Sequence, residues 1–327
     1  MKSIFLSSLL ISTTLLSSQN IKETYEEALK YEKMGDYKNA MKIYKEIALK
    51  EKELNDIFVD EDKEKEIKVV SNVIDTIDDK ETEQTIIQML SSSFNLYPYY
   101  ENYLLPFSYV SNAKDGRKKS ETKFQLSVKK PIAHNLLGLN ESLYFGYTQT
   151  SWWQLYAPSS PFRETNYKPE VFMMIPYGKK DHTALKALKL GFLHESNGQD
   201  TPKSRSWNRL YAESYFQVDN LFINPRVWYR IPENEGEDDN PDLEDYLGYG
   251  DLNFILPYKS HNFKLLLRNN LKFNGENKGF TELSWTFPLM NSKNSFGYLQ
   301  LSNGYGDSLI DYNKDLSRFS FGISLSR

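Results

Sequence analysis

The chain has 327 residues, no cysteine, 23 Tyr, 19 Phe and a formal net charge of −4, a length that allows one large domain or two ordinary ones. Without cysteine there is no disulfide framework, thiol nucleophile, Cys-ligated zinc or thioether-linked lipid anchor. Past the N-terminus no run supplies the ~20 apolar residues that a spanning helix needs, and no basic stripe points to nucleic acid as a partner.

Residues 1–19 combine Lys2, an apolar stretch from Ile4 to Leu16, and Ser17, Ser18 and Gln19. This pattern predicts a secretory signal removed near residues 17 to 19, with an N-terminal membrane anchor as the competing reading. Charge then marks a boundary. Residues 20–95 hold 19 acidic against 12 basic side chains, whereas residues 96–327 hold 25 against 27. Within the acidic part, Tyr25, Ala28 and Leu29, then Ala40, Ile43, Tyr44 and Ile47, recur at helical spacing around a break at Gly35 and Asp36. Ala28, Tyr31, Gly35, Tyr37, Ala40 and Tyr44 resemble a tetratricopeptide hairpin. One such unit needs neighbours to bury its faces, so a solvated helical pair or docking arm stands beside that reading. Residues 51–68 read as an exposed linker or helix and 67–90 as a further helix. The expectation is an acidic helical extension over residues 20–94, in the periplasm.

From residue 95 onward the period becomes two. Leu143, Phe145 and Tyr147 alternate with Ser142, Tyr144, Gly146 and Thr148; Phe263, Leu265, Leu267, Leu271 and Phe273 alternate with Lys264, Arg268, Asn270 and Lys272; Phe319, Phe321, Ile323 and Leu325 close the chain in the same way. About twelve such segments fit into residues 95–327, each near the ~9 to 11 residues of a tilted spanning strand. Lys and Arg on the polar face suit a wet or ionically packed lumen. Trp152, Trp153, Tyr156, Trp207, Trp228 and Tyr229 near strand ends suit an interfacial girdle. The fold class expected is all-β, a twelve-stranded antiparallel transmembrane barrel with an N-terminal α-helical extension.

Residues two apart on a strand share a face. His194 and Ser196 therefore lie with the apolar Leu188, Leu190 and Phe192, while Lys189, Gly191 and Glu195 point inward. The next strand puts Asn208 on the face of Leu210 and Ala212. Three polar groups beside hydrocarbon cost several kcal/mol if unpaired, on the order of 2 to 7. Mutual hydrogen bonding would make them a nucleophile, base and orienter in series; rim residues wetted by head groups are the alternative. No Gly-x-Ser-x-Gly elbow occurs, which removes the α/β-hydrolase reading. Gln149, on the face of Leu143, Phe145 and Tyr147, would leave its amide unsatisfied in lipid; meeting its own copy across a two-fold axis would satisfy it, and a place high enough to meet head groups is the alternative.

The segments His194-Glu195-Ser196-Asn197-Gly198 and Ser204-Arg205-Ser206-Trp207-Asn208-Arg209 resemble, in order, the outer-membrane phospholipase A family. So do Tyr147-Thr148-Gln149, Ser151-Trp152-Trp153-Gln154, Ser159-Ser160-Pro161-Phe162-Arg163, Asp238-Asp239-Asn240-Pro241-Asp242 and Gly304-Tyr305-Gly306-Asp307-Ser308-Leu309-Ile310-Asp311-Tyr312. The likeness runs over about residues 95 to 327. It implies a barrel in the outer membrane of a Gram-negative bacterium whose calcium-dependent homodimer hydrolyses phospholipid acyl esters, with A1, A2 and lysophospholipase action. Ser196 would be the nucleophile, His194 the general base and Asn208 its orienter. The oxyanion would meet the Gly198 N–H and a calcium-bound water. Ca2+ would be held by the Ser204 hydroxyl, the Gln199 carbonyl and the carbonyl of Ser159 of the partner subunit, and Gln149 would lie at the dimer contact. Two positions depart from the family: Thr201 stands where members carry an acid, and the chain ends in Arg327 where an aromatic is usual. A passive barrel, porin or adhesin, and a soluble all-β esterase are the competing classes.

Overall fold

A computed structural model describes residues 27, 29–34, 36, 38–39, 41–45 and 96–326, apart from 114–116, 178–182, 235, 237, 290–291 and 293–294. The chain divides into two units, residues 1–94 and 95–327. In the first, residues 29–33 and 41–45 are helical, and the Tyr44 hydroxyl donates to Glu32 at 2.9 Å. The readings of residues 1–19, 51–68 and 67–90 lie outside the described residues.

The second unit is a closed antiparallel barrel. Its strands are β2 (Tyr103–Val110), β3 (Ser120–His134), β4 (Ser142–Trp153), β5 (Phe162–Pro176), β6 (Leu185–Ser196), β7 (Ser206–Val218), β8 (Leu221–Ile231), β9 (Gly250–Tyr258), β10 (His261–Asn269), β11 (Gly279–Pro288), β12 (Phe296–Gly304) and β13 (Leu316–Ser324). These twelve pair with their neighbours in chain order, β13 returns to β2, and a two-residue strand β1 (Tyr97–Pro98) adds to β3. Closure pairs every edge, as hydrocarbon requires. Pro106 and Pro131 fall at bulges, where a missing N–H leaves no ladder partner unserved. A short helix, α1 (Leu243–Leu247), and a 3-10 turn at Leu309–Asp311 cover the end of the barrel where β8 and β12 finish.

The alternation seen in sequence resolves into an apolar outside and an ionic inside. Leu190, Phe192, Leu210, Val227, Leu283 and Phe321 are exposed on the outer wall. Lys189 is fully buried inside. Its Nζ lies 3.5 Å from Glu213 Oε2, 3.7 Å from Glu170 Oε2 and 4.4 Å from the centre of the Phe172 ring. Gly191, next along the inner face, is needed because a Cβ there would sit 2.6 Å from the Tyr211 ring. Arg318 joins Asp307 and Glu121, and Arg209 joins Glu195. Asp307 lies in a loop beyond the wall; burial raises its carboxyl, but Arg318 against it holds the group well below the usual range.

Two expectations about the wall fail. Trp152, Trp207 and Trp228 do not form a girdle: all three are buried. Trp207 and Trp228 meet edge to face, with the Arg209 guanidinium 3.5 Å above the Trp207 ring, so the π faces serve interior cations. Tyr156 and Tyr229 do stand exposed. The strand expected through Phe273 stops at Asn269. Leu271 takes φ +56 in the following turn, and Asn269 and Asn270 accept the backbone N–H groups of Leu271 and Lys272, turning the chain before the apolar alternation runs out.

Candidate active site

Register places His194 of β6 directly opposite Asn208 of β7, and Ser196 opposite Ser206. Cross-strand partners of this kind have Cβ atoms ~5 Å apart, close enough for side chains to meet. His194 Nδ1 lies 2.8 Å from Asn208 Oδ1. The amide's other end donates from Nδ2 to Glu233 Oε1 at 3.5 Å. A carboxylate only accepts, so this long contact favours the amide orientation with its oxygen toward the ring. The ring must then carry its proton on Nδ1, which leaves Nε2 with a lone pair. Ser196, two residues on, shares the face of that ring. The Ser196–His194 hydrogen bond is not formed among the described residues; such contacts often stay long until substrate is in place.

The group stands on the outer wall. Phe192 and Leu210 beside it are 41% and 51% exposed, whereas Glu195 and Trp207, one residue out of phase, are 6% and 0% exposed. The barrel encloses a cavity of about 720 Å³ lined by Leu193, Glu195, Trp207 and Arg209; His194, Ser196 and Asn208 do not line it. The alternate face of the same two strands is thus the lumen, and the imidazole looks away from it. Across β5 the ladder lapses at Lys168 and Pro169, the positions facing Glu195 and His194, because proline has no N–H to give.

The loop after β6 is held by Asn197, which is buried. Its Nδ2 donates to Lys203 O at 2.9 Å, and its Oδ1 accepts from Arg205 N at 3.0 Å and Gln199 N at 3.3 Å. Gly198 adopts φ +61, and a Cβ would approach the Tyr167 ring to 3.2 Å, so the position favours glycine. The Gln199 side-chain amide donates to Glu164 Oε2 at 2.7 Å. Ser204 Oγ donates to the Asp239 carboxylate. Ser159 is exposed with φ +61, in the loop from β4 to β5 at the same end of the barrel.

Gln149 points outward, level with Tyr167 and Ser196 through the pairings Gln149↔Tyr167 and Tyr167↔Ser196. Its amide is not orphaned, contrary to the expectation from sequence. Tyr147 Oη donates to its Oε1 at 3.0 Å, and its Nε2 donates to Ser151 Oγ at 3.3 Å. The second Nε2 hydrogen and a remaining Oε1 lone pair stay available to a second chain.

Ser204, Asp239 and the Gln199 carbonyl are all oxygen donors, the chemistry a hard cation such as calcium prefers. Among the described residues no group of three His, Cys, Asp or Glu forms a metal cluster, so a site here would combine at most a few carboxylates with hydroxyl and carbonyl oxygens. Sequence reasoning missed the supports. Asp238 takes both Arg230 Nη2 contacts at 2.8 Å, Asn240 Oδ1 accepts Ser206 N at 3.0 Å, and Asp242 accepts the Tyr312 hydroxyl. The Asp-Asp-Asn-Pro-Asp run was visible as a motif, but its partners lie on β7, on β8 and in the loop after β12. Glu233 had no signal at all. Partial burial, then Asp238 and Asp239, raise its carboxyl above the usual value.

The family model described as phospholipase A1 matches residues 79–325. A relative in Neisseria meningitidis serogroup B is 41% identical over 220 residues, covering 63% of this chain, and the chain spans only 55% of that protein's length. The phospholipase A1 of Klebsiella pneumoniae is 37% identical over 255 residues, 74% of this chain and 86% of its own. Among solved structures, the Salmonella typhi outer membrane phospholipase dimer with bound calcium has a TM-score of 0.66 at 34% identity, covering 72% of this chain and 94% of that one. Outer membrane phospholipase A from Escherichia coli has a TM-score of 0.65 at 35% identity, covering 71% and 99%.

Proposed function

Because the chain belongs to the phospholipase A1 family, we propose that it is a calcium-dependent outer-membrane phospholipase that cleaves acyl esters at its lipid-facing wall, including the A2 and lysophospholipid esters. The observation that carries this reading is the 2.8 Å His194–Asn208 contact on the apolar side of the barrel. In this reading the Ser196 hydroxyl attacks the acyl carbonyl carbon while His194 Nε2 takes its proton. Asn208 Oδ1 holds the Nδ1–H and so keeps Nε2 basic and aimed. Negative charge on the former carbonyl oxygen falls beside the Gly198 N–H, and one such donor typically contributes ~2.7 to 4 kcal/mol. The imidazolium returns its proton to the leaving glycerol oxygen, and water repeats the sequence on the acyl-serine.

Bound calcium would add positive charge facing the developing oxyanion. Ser204 and Gln199 would hold it, with Ser159 of the partner subunit completing the set. That assignment makes the enzyme a homodimer, in keeping with the dimeric Salmonella neighbour, and puts Gln149 at the contact. It also gives a switch, since one chain alone supplies an incomplete metal shell. Residues 1–19 would be the export signal and 20–94 a periplasmic extension.

The test is fatty-acid release from phospholipid–detergent micelles, with calcium or with chelator, for wild type and Ser196→Ala. Release that needs both calcium and Ser196 is expected. A non-catalytic porin or adhesin would release nothing under any condition.

A further inference from the structure

Asparagine in place of an acid leaves the proposed relay without a countercharge for the imidazolium. The neutral amide offers His194 a dipole, and the charge that appears on the ring as Ser196 loses its proton is otherwise uncompensated on that side. Beyond Asn208 the structure supplies one. β8 pairs Ile231 with Asn208; the chain then passes through Pro232, and Glu233 turns its carboxylate back so that Oε1 lies 3.5 Å from Asn208 Nδ2. Glu233 is half-buried, which weakens the screening that water would otherwise provide.

Building on the Ser196–His194–Asn208 reading, we propose that Glu233 is a positioning residue of the same site, a fourth member whose carboxylate locks the Asn208 amide and acts on His194 through it. Two physical effects follow. A carboxylate accepting from Nδ2–H prevents the amide from flipping, so its oxygen always faces the ring. It also polarises the amide, increasing the negative charge on Oδ1 as the Nδ1–H becomes more acidic, and hydrogen bonds in series reinforce one another.

The test is a double-mutant cycle between positions 233 and 208 in the full-length protein, assayed on micelles with saturating calcium. Glu233→Gln is expected to lower kcat by about three- to tenfold with KM little changed, the lower part of the range of coupling between residues in one network. Glu233→Asp should fall between wild type and Glu233→Gln, since it keeps the charge on a shorter arm. In the Asn208→Asp background the sign reverses: two carboxylates then face each other, and adding Glu233→Gln should raise activity above Asn208→Asp alone. A merely structural Glu233 would lower both backgrounds by the same factor, and that result, or an unchanged kcat in Glu233→Gln, overturns the proposal. Heat-shifted mobility on a gel reports folding; if Glu233→Gln does not fold, the Glu233→Asp comparison in both backgrounds decides. Activity that survives in Ser196→Ala would instead sink the underlying catalytic reading, so the two failures are told apart.

Discussion

Replacing Asn208 with alanine removes the acceptor of a 2.8 Å bond from a ring that becomes cationic in the proposed reaction. Hydrogen bonds to charged groups typically contribute ~1.5 to 3 kcal/mol. At ~1.4 kcal/mol per factor of ten, kcat should drop about ten- to a hundredfold. KM should change little, because Asn208 touches the ring and Glu233 rather than the ester. The fold should survive, since Asn208 is half-buried on the outer wall and its main chain stays in the β7 ladders with β6 and β8. The assay is the initial rate of fatty-acid release in mixed micelles at fixed calcium, with heat-shifted gel mobility as the check on folding. A folded Asn208→Ala protein within twofold of wild type would refute the orienter role and, with it, the relay.

Ser204→Asn should raise the calcium concentration needed for half-maximal rate, because the hydroxyl that now meets Asp239 is replaced by a bulkier amide; an unchanged calcium titration would remove Ser204 from the ligand set. Lys189→Met should destabilise the barrel by about 3 to 5 kcal/mol, the typical cost of leaving buried charges without a partner. Here Glu170 and Glu213 lose their shared cation. The measurement is a urea midpoint in detergent, and a midpoint equal to wild type would show that the interior rearranges without penalty.

Much of the barrel was legible because period-two alternation reports which residues share a face, and a closed sheet turns that directly into inside and outside. Ser196, His194 and Asn208 could be placed together by counting alone, since hairpin register does the rest. Alternation does not reveal what a tryptophan does on its face. Trp207 looks like an interfacial anchor by position, yet it lies in phase with Glu195 and Arg209 and packs against the guanidinium. Leu271 and Phe273 kept the rhythm of β10 past its end because Asn269 and Asn270 cap the turn by side-chain acceptance, a local effect that hydrophobic spacing cannot register. Gln149 appeared orphaned only because same-face neighbours were counted as apolar, when Tyr147 carries a hydroxyl and Ser151 another. Glu233 and Asn240 lie 25 and 34 residues along the chain from Asn208 and Ser206, the β7 residues they contact, and no spacing rule reaches that far.

The ionic filling of the lumen bears on how a greasy substrate could be handled. A chain of methylenes has no welcome among Lys189, Glu170 and Arg209, so tunnel-type catalysis, in which a lipid is drawn through the protein, is closed to this scaffold. With the proposed reactive groups on the outer surface, the tails would remain dissolved in their own leaflet throughout. In that reading only the ester would have to rise to the height of residue 196, and both the freed fatty acid and the lysolipid would depart sideways, into the two-dimensional solvent from which the substrate came.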